Sequence, residues 1–531
     1  MRKRVRWAAV PLVLGLAATL LGGCGWLDDD GPGQGEAIVM GMTDDVLAVD
    51  PASGYDPGSW LVFNNVFQSL LSFPRGGSEP QPEAAQECGF TDRISQRFTC
   101  ILRDGLTFSN GNELTSTDVR YSFERTLRID DPNGPAVMLS SIDRIETPDE
   151  HTITFHLSQP DATFPLKIAS GAGSIVDHRE YPANTLRTDG QAVGSGVYTL
   201  ETYDRDEAVF EVNPDYQGPA EVQNSGMTMR LFHGDKEALR RAVVSGAVDV
   251  AYRGLSAEDI AELETSTLDQ HDDLKVVDGT SAEVQHLVFN MADPVAGEPA
   301  VRRAVAYLLD RSALTRDVYQ RTTEPLYSIV PAGITGHNTA FYDRYGSTPE
   351  PDLAEEELRD AGITEPVRLT LWATPVRFGP DTVAAFEYLA RQLNDSGLFE
   401  ATVRSADTEE FAEGVANGDY AAYVRGWVPD YPDPDNFTAP FFGQDNVLAN
   451  HYDAGRITDE LLPRTATQSD RVQTIDDFGT IQDIVADELP LIPLWQGRQY
   501  AVAAEDITGL EWTLDVSTVF RFWEIGKIPG M

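Results

Sequence analysis

The residues best equipped for chemistry lie in one run, Gly426-Trp427-Val428-Pro429-Asp430-Tyr431-Pro432-Asp433-Pro434, with Asp435 directly after it. Three carboxylates set among prolines can punctuate a solvated turn, bind a cation, or present a counter-charge to a buried ammonium. A calcium loop of the EF-hand kind is disfavoured, because Pro432 and Pro434 interrupt it and the bidentate Glu of that spacing is missing. Asp433 reads as a turn residue, replaceable by Asn at little cost. Trp427 precedes Asp430 by three residues, at a predicted strand end. A large aromatic there serves either the core or the wall of a site, and Tyr431 is a weaker wall candidate.

Enzyme chemistry finds little support elsewhere. There is no Gly-x-Ser-x-Gly elbow, no His followed by Glu, and no Gly-rich phosphate or dinucleotide loop. The eight His are scattered. No catalytic residue, metal site or cofactor is expected.

The first residues carry a different message. Arg2, Lys3, Arg4 and Arg6 precede an uncharged, mostly Ala, Val and Leu stretch from Trp7 to Leu21. That stretch is short for a membrane span and fits the apolar part of an export signal. It closes in Leu21-Gly22-Gly23-Cys24, which resembles the lipobox of bacterial lipoproteins. The expectation is a signal peptide over 1–23, lipid on the Cys24 thiol, and a Gly- and Asp-rich tether over 24–36. An exported chain meets oxidising conditions, and two thiols remain, Cys88 and Cys100, twelve positions apart. They are expected to form a disulfide.

The 531 residues carry 85 acidic and 40 basic side chains, a net charge of −45. Nucleic acid is not an expected partner, since phosphate binding needs basic patches. The acid is spread along the whole chain. That favours solubility in a salty habitat over steering of a cationic ligand.

Around these residues the pattern alternates strands and helices, which predicts α/β layering. Strands are expected at Ala37–Met42, Phe98–Leu102, His151–Leu157, Val284–Asn290, Val367–Ala373 and Tyr420–Trp427, with a short one at Leu491–Trp495. Helical spacing is read over Val62–Leu71, Thr115–Leu127, Lys236–Gly246, Ala300–Leu309, Val383–Leu393 and Ile475–Glu488. Asn110-Gly111 supplies a tight turn, and Thr115 with Asp118 resembles a capping box.

Several segments together resemble bacterial extracellular solute-binding protein family 5, the peptide-, oligopeptide- and nickel-type receptors of ABC transporters. The clearest runs from Leu102-Arg103-Asp104-Gly105 through Phe108, Asn110-Gly111 and Thr115 to Asp118-Val119. Gly194–Tyr198, Pro299–Arg311, Gly426–Pro434 and Glu488–Leu494 follow in family order, so the likeness covers about residue 37 to the C-terminus. It implies a periplasmic-binding-protein-like α/β fold, two large lobes joined by a hinge plus an additional small domain. Lobe I would combine 37–75, 190–285 and 495–531, the small domain 76–189, and lobe II 286–494. A peptide or similar small solute would be held between the lobes of a monomer and passed to permease subunits with a cytoplasmic ATPase. Oligosaccharide and nickel-chelate receptors share the fold and remain open, and a secreted hydrolase is the competing class. By resemblance Asp430 would accept the ligand's α-ammonium, with Trp427 and Tyr431 beside it. Some oligopeptide receptors carry an Arg three residues before this Trp. Here that place holds Val424, with Arg425 one residue later.

Overall fold

A computed structural model describes residues 36–266, 273–374, 381–444, 446 and 447–528. The signal segment, Cys24 and the tether up to residue 35 lie outside the described residues.

Eleven strands among the described residues form one mixed sheet. Its order is Phe399–Ser405, Val367–Ala373, Ala422–Trp427, Leu274–Phe289, Leu491–Ala504, Val250–Tyr252, Ile38–Met42, Gly226–Leu231, Glu207–Val212 and Tyr198–Tyr203, with Thr323–Pro325 also on Leu491–Ala504. The Val367–Ala373 strand is parallel to both neighbours, and so is Ile38–Met42. Helices cover these parallel stretches, as buried parallel sheet requires. The two central strands are the longest, 16 and 14 residues, and run antiparallel to one another.

These two strands belong to both halves of the molecule. At one end Val284–Phe289 pairs with Ala422–Trp427, inside a core built around Phe289, Leu371, Phe386 and Phe441. At the other end Ala501–Ala503 pairs with Val250–Tyr252, beside a second core of Met40, Phe63, Phe210 and Phe522. Between the ends the pairing slips, between Thr280 and Val284. The chain is therefore two large lobes bridged by two long strands, with a small appended domain, in a periplasmic-binding-protein architecture. A two-stranded bridge with a break in its ladder is a place where lobes can rotate.

The apolar pattern gave only part of these strands. Leu491–Trp495 was expected to be short, and it continues to Ala504. Val284–Asn290 was expected alone, and the strand begins at Leu274. The missing pieces are Leu274–Glu283 and Gln496–Ala504, and their middle parts, Asp278–Glu283 and Gln496–Gln499, cross from lobe to lobe. These middle parts present Ser281, Glu283, Arg498 and Gln499 to the space between the lobes, and there the apolar alternation fades.

The helix expected over Val62–Leu71 is also displaced, to Pro57–Val66. It starts early because Asp56 caps it, accepting from Ser59 N at 2.9 Å, with Pro57 in the first turn. It stops at Val66, whose carbonyl accepts the Gly196 N–H at 2.8 Å.

A four-stranded antiparallel sheet, Ala85–Phe90, Arg97–Leu102, Thr152–Leu157 and Ile142–Glu146, forms the small domain around Phe98, Phe123, Phe155 and Phe164. Thr115 and Asp118 do make a capping box, the Thr115 N–H donating to Asp118 Oδ2 at 2.9 Å. Asn110 and Asn112, in the turn before it, both donate to Asp177, at 3.0 and 2.7 Å. The polar residues of this signature thus hold the domain together and point at no ligand. Asp118, Asp177 and His178 cluster closely enough to hold a cation. Their oxygens are already taken by Asn110, Asn112, the Thr115 N–H and Arg179, which brings its own positive charge.

Cys88 and Cys100 face each other on adjacent strands, Cα to Cα 4.1 Å, and are joined by a disulfide. Replacing both by Ser is expected to cost about 2–4 kcal/mol of small-domain stability. Urea unfolding of the two forms measures it, and labelling of denatured, unreduced protein should find no free thiol.

Candidate ligand-binding cleft

A cleft of about 360 Å³ opens where the lobes meet. Lobe I supplies Tyr55, Trp60, Tyr252 and Arg253, and the far side is the Gly426–Asp430 segment. The strand Ala422–Trp427 ends at the cleft, and Pro429 turns the chain so that Asp430 faces it.

Asp430 is held from two directions. Its own N–H donates to Asn436 Oδ1 at 3.0 Å, and Asn436 Nδ2 donates to Asp430 Oδ2 at 3.2 Å. The Tyr55 hydroxyl, from the other lobe, donates to Asp430 Oδ1. Burial pushes the Asp430 carboxyl above its ordinary range, while the Tyr55 and Asn436 hydrogen bonds and the Lys167 charge pull it back. The carboxylate is thus largely desolvated and incompletely neutralised, which is the condition in which a ligand ammonium gains most.

Trp427 lies against the same scaffold. Its indole N–H donates to Asn436 Oδ1 at 3.0 Å, and its ring meets Phe441 edge-on, centroids 5.4 Å apart. One part of the indole is anchored in the lobe II core and another lines the cleft.

Tyr431 departs from expectation: it does not line the cleft. It is buried in the small-domain core, donates to Asp435 Oδ2 at 3.0 Å, and carries the Lys167 ammonium 5.9 Å over its ring. The physical reason is Pro432 and Pro434, which carry the loop away from the cleft into the small domain. Asp433 is likewise no bare turn residue. It is 3% exposed and accepts from Arg471 Nε and Nη2 at 2.8 and 2.7 Å. It also caps the short turn Pro434–Phe437, accepting the Asp435 N–H at 2.8 Å. Val424 is buried in the sheet, and Arg425 donates to the Val447 carbonyl within lobe II.

The positive group in the cleft is Arg253. It follows the buried strand Val250–Tyr252 in a left-handed backbone conformation, φ +56°. Gly254 comes next at φ +119°, and a Cβ there would fall 2.0 Å from Thr43 Oγ1, so only glycine lets the chain pass. The Arg253 Nε–H donates to Asp44, and that carboxylate keeps the guanidinium charged. Arg253, Tyr55 and Asn436 carried no recognisable pattern in the sequence. The nearest signal is an Arg-Gly pair directly after an apolar run.

An α/β fold of two lobes on a shared strand pair, with a charged cleft at the crossing, defines a solute-binding protein. Residues 79–448 match the model of bacterial extracellular solute-binding proteins, family 5. The chain belongs to that family, and its work is that of an importer's substrate-binding component. It is 25% identical over 508 residues to the probable D,D-dipeptide-binding periplasmic protein DdpA of Escherichia coli, covering 93% of this chain and 94% of that one. Di/tripeptide-binding protein 1 of Pseudomonas aeruginosa is 24% identical, over 84% of this chain and 88% of its own. The fold is shared with the periplasmic binding protein DppA from Helicobacter pylori, solved with the peptide STSA, at a TM-score of 0.73 and 20% identity, covering 93% of this chain and 98% of that one. Among the described residues no helix is long and apolar enough to cross a membrane.

Proposed function

We propose that this chain is a receptor for short peptides, and not an enzyme, holding its ligand between lobe I (37–75, 190–285, 495–531) and lobe II (286–494), beside the small domain (76–189). The observation that carries the reading is a cleft with Asp430 and Arg253 on its walls. A zwitterion's ammonium and carboxylate can each find an opposite charge there, which a closed, water-poor site demands. Trp427 supplies an aromatic wall between them. The dipeptide and di/tripeptide receptors among the relatives support the same ligand class. Tyr431 supports the loop from behind and has no ligand role.

Thermal-shift screening against di- to penta-peptides, oligosaccharides and nickel chelates tests this. A ligand at 100 times its Kd should stabilise the protein by about 2.7 kcal/mol. Stabilisation by sugars or chelates, and by no peptide, overturns the reading.

The proposal includes the membrane anchor. The mature chain begins at Cys24, acylated there, and works as a monomer handing its ligand to permease subunits. One acyl chain holds a protein only marginally, so stable anchoring needs more than one. Intact-mass measurement on membrane-extracted protein should show a chain starting at Cys24 with added acyl mass. An unmodified chain keeping Met1 contradicts it.

A further inference from the structure

The cleft does not end at Arg253. A second chamber of about 400 Å³ shares Tyr252, Arg253, Glu283, Val428 and Thr518 with the first, so the two adjoin across these residues. Asp430 belongs to the first chamber alone, and Asp381 and Lys236 to the second. Arg253 and Glu283 stand at the junction.

Some of the charges facing this space are paired. Arg253 is taken by Asp44, and Arg498 by Asp278. Asp381 faces the Lys236 ammonium. Asp56, on the wall of the first chamber, caps a helix and has no cation among the described residues, its Oδ2 buried without a hydrogen-bond partner; Glu283 is the unpaired acid that lines both chambers. It projects from the crossing piece of the long strand Leu274–Phe289, just where the ladder slips, and is half-buried. Among the described residues its carboxylate makes no hydrogen bond or close ion pair. Arg253, the cation whose charge acts on it, is already bonded to Asp44, whose own charge opposes that of Glu283. Burial raises the Glu283 carboxyl above its ordinary range, the Arg253 charge pulls it back, and Asp44 adds to the rise.

We propose that Glu283 is a second anionic contact for the ligand, and that this receptor selects peptides carrying a basic side chain. The inference rests on the peptide reading above and names the class of peptide. A peptide's two terminal charges engage Asp430 and Arg253, and closing the cleft over it cuts the Glu283 carboxylate off from water without a cation of its own. A Lys or Arg side chain of the same ligand reaches the junction and removes that penalty. A neutral side chain leaves the penalty in place, and an acidic one adds repulsion. Discrimination of this kind comes as much from the unpaired charge left by the wrong ligand as from contacts to the right one.

The test is calorimetry on the full chain with Ala-Lys-Ala, Ala-Ala-Ala and Ala-Glu-Ala, on the native protein and on Glu283→Gln. The native protein should bind Ala-Lys-Ala about 30-fold or more tighter than Ala-Ala-Ala, and Ala-Glu-Ala weakest. Glu283→Gln should weaken Ala-Lys-Ala and leave Ala-Ala-Ala equal or tighter, so that the two converge. Removing a half-buried charge that no hydrogen bond holds should also leave the free protein's melting temperature equal or higher, so lost binding cannot be put down to lost folding. Equal affinity for the three peptides, or an equal loss for all of them in Glu283→Gln, overturns the inference and leaves the peptide reading standing. Absence of binding by any of the three to the native protein overturns both.

Discussion

Asp430→Asn is expected to lower the affinity for an amine-bearing peptide about 30- to 5000-fold, equivalent to about 2–5 kcal/mol. The substitution keeps the side chain's shape and its link to Asn436 while removing the charge. The ligand ammonium then enters a desolvated site with only dipoles to meet it. Asn436 and the turn at Pro429 hold the carboxylate in place before the ligand arrives, which reduces the ordering cost of binding. The Tyr55 hydroxyl, the carboxylate's partner in the free cleft, is the group that must yield or share its place.

The sign of the pH dependence follows from the raised Asp430 carboxyl. An ammonium needs the ionised form, so affinity should hold above that raised pKa and fall as pH drops through it. Asp430→Asn should remove this dependence. Stability of the free protein runs the other way at this position. A carboxyl whose folded pKa is raised favours folding below its unfolded pKa and loses that contribution as pH rises through the folded one. Calorimetric titration over the acidic range reads the first effect. Asp433→Asn is no control for it, because it breaks the buried pair with Arg471. Asp104→Asn, fully exposed on the small domain, should bind as the native protein does. Equal and small losses at both positions would make Asp430 a turn residue and favour a sugar ligand.

The second large effect concerns stability. Asp50→Asn is expected to cost about 3–5 kcal/mol. Asp50 and Arg125 are each 1% exposed. Arg125 Nη1 and Nη2 donate to the two Asp50 oxygens at 2.7 and 2.6 Å. Asp50 further accepts the Arg187 N–H at 2.7 Å, and Arg125 Nε reaches the Pro182 carbonyl at 2.6 Å. The pair ties the segment before the Tyr55 turn to the small-domain helix Ser116–Ile129 and to the chain returning at Pro182–Arg187. Neutralising one partner strands a guanidinium where water cannot reach it. Denaturant unfolding of the full chain measures the loss. The double change Asp50→Leu, Arg125→Met should recover much of it, since two apolar groups leave no charge unpaired.

Part of this protein was written in local sequence. The alternation at Thr152–Leu157, the capping box at Thr115, the Asn110-Gly111 turn and the apolar run into Trp427 are short-range features. Their causes act within a few residues, so composition and spacing suffice to find them. The ordered series of family-like segments gave the fold class, because each segment builds one piece of the same layered frame. The Gly426–Pro434 run could be singled out, and Asp430 with it, because prolines and carboxylates at a strand end are visible without neighbours.

What the tertiary structure alone decided is which of those residues face the same space. Tyr431 adjoins Asp430 in the chain, yet the prolines carry it into the small-domain core. Asp433 differs from Asp430 by three positions, yet Arg471, 38 residues on, makes it structural. Tyr55, Arg253 and Glu283 come from three separate stretches and meet Asp430 only because two long strands cross between the lobes. Those crossing pieces were also the hardest to read. An apolar period marks a strand by the core it covers, and where a strand spans a cleft there is no core to cover. Among the polar residues that hid these segments from the pattern, Ser281, Glu283, Arg498 and Gln499 line the binding space.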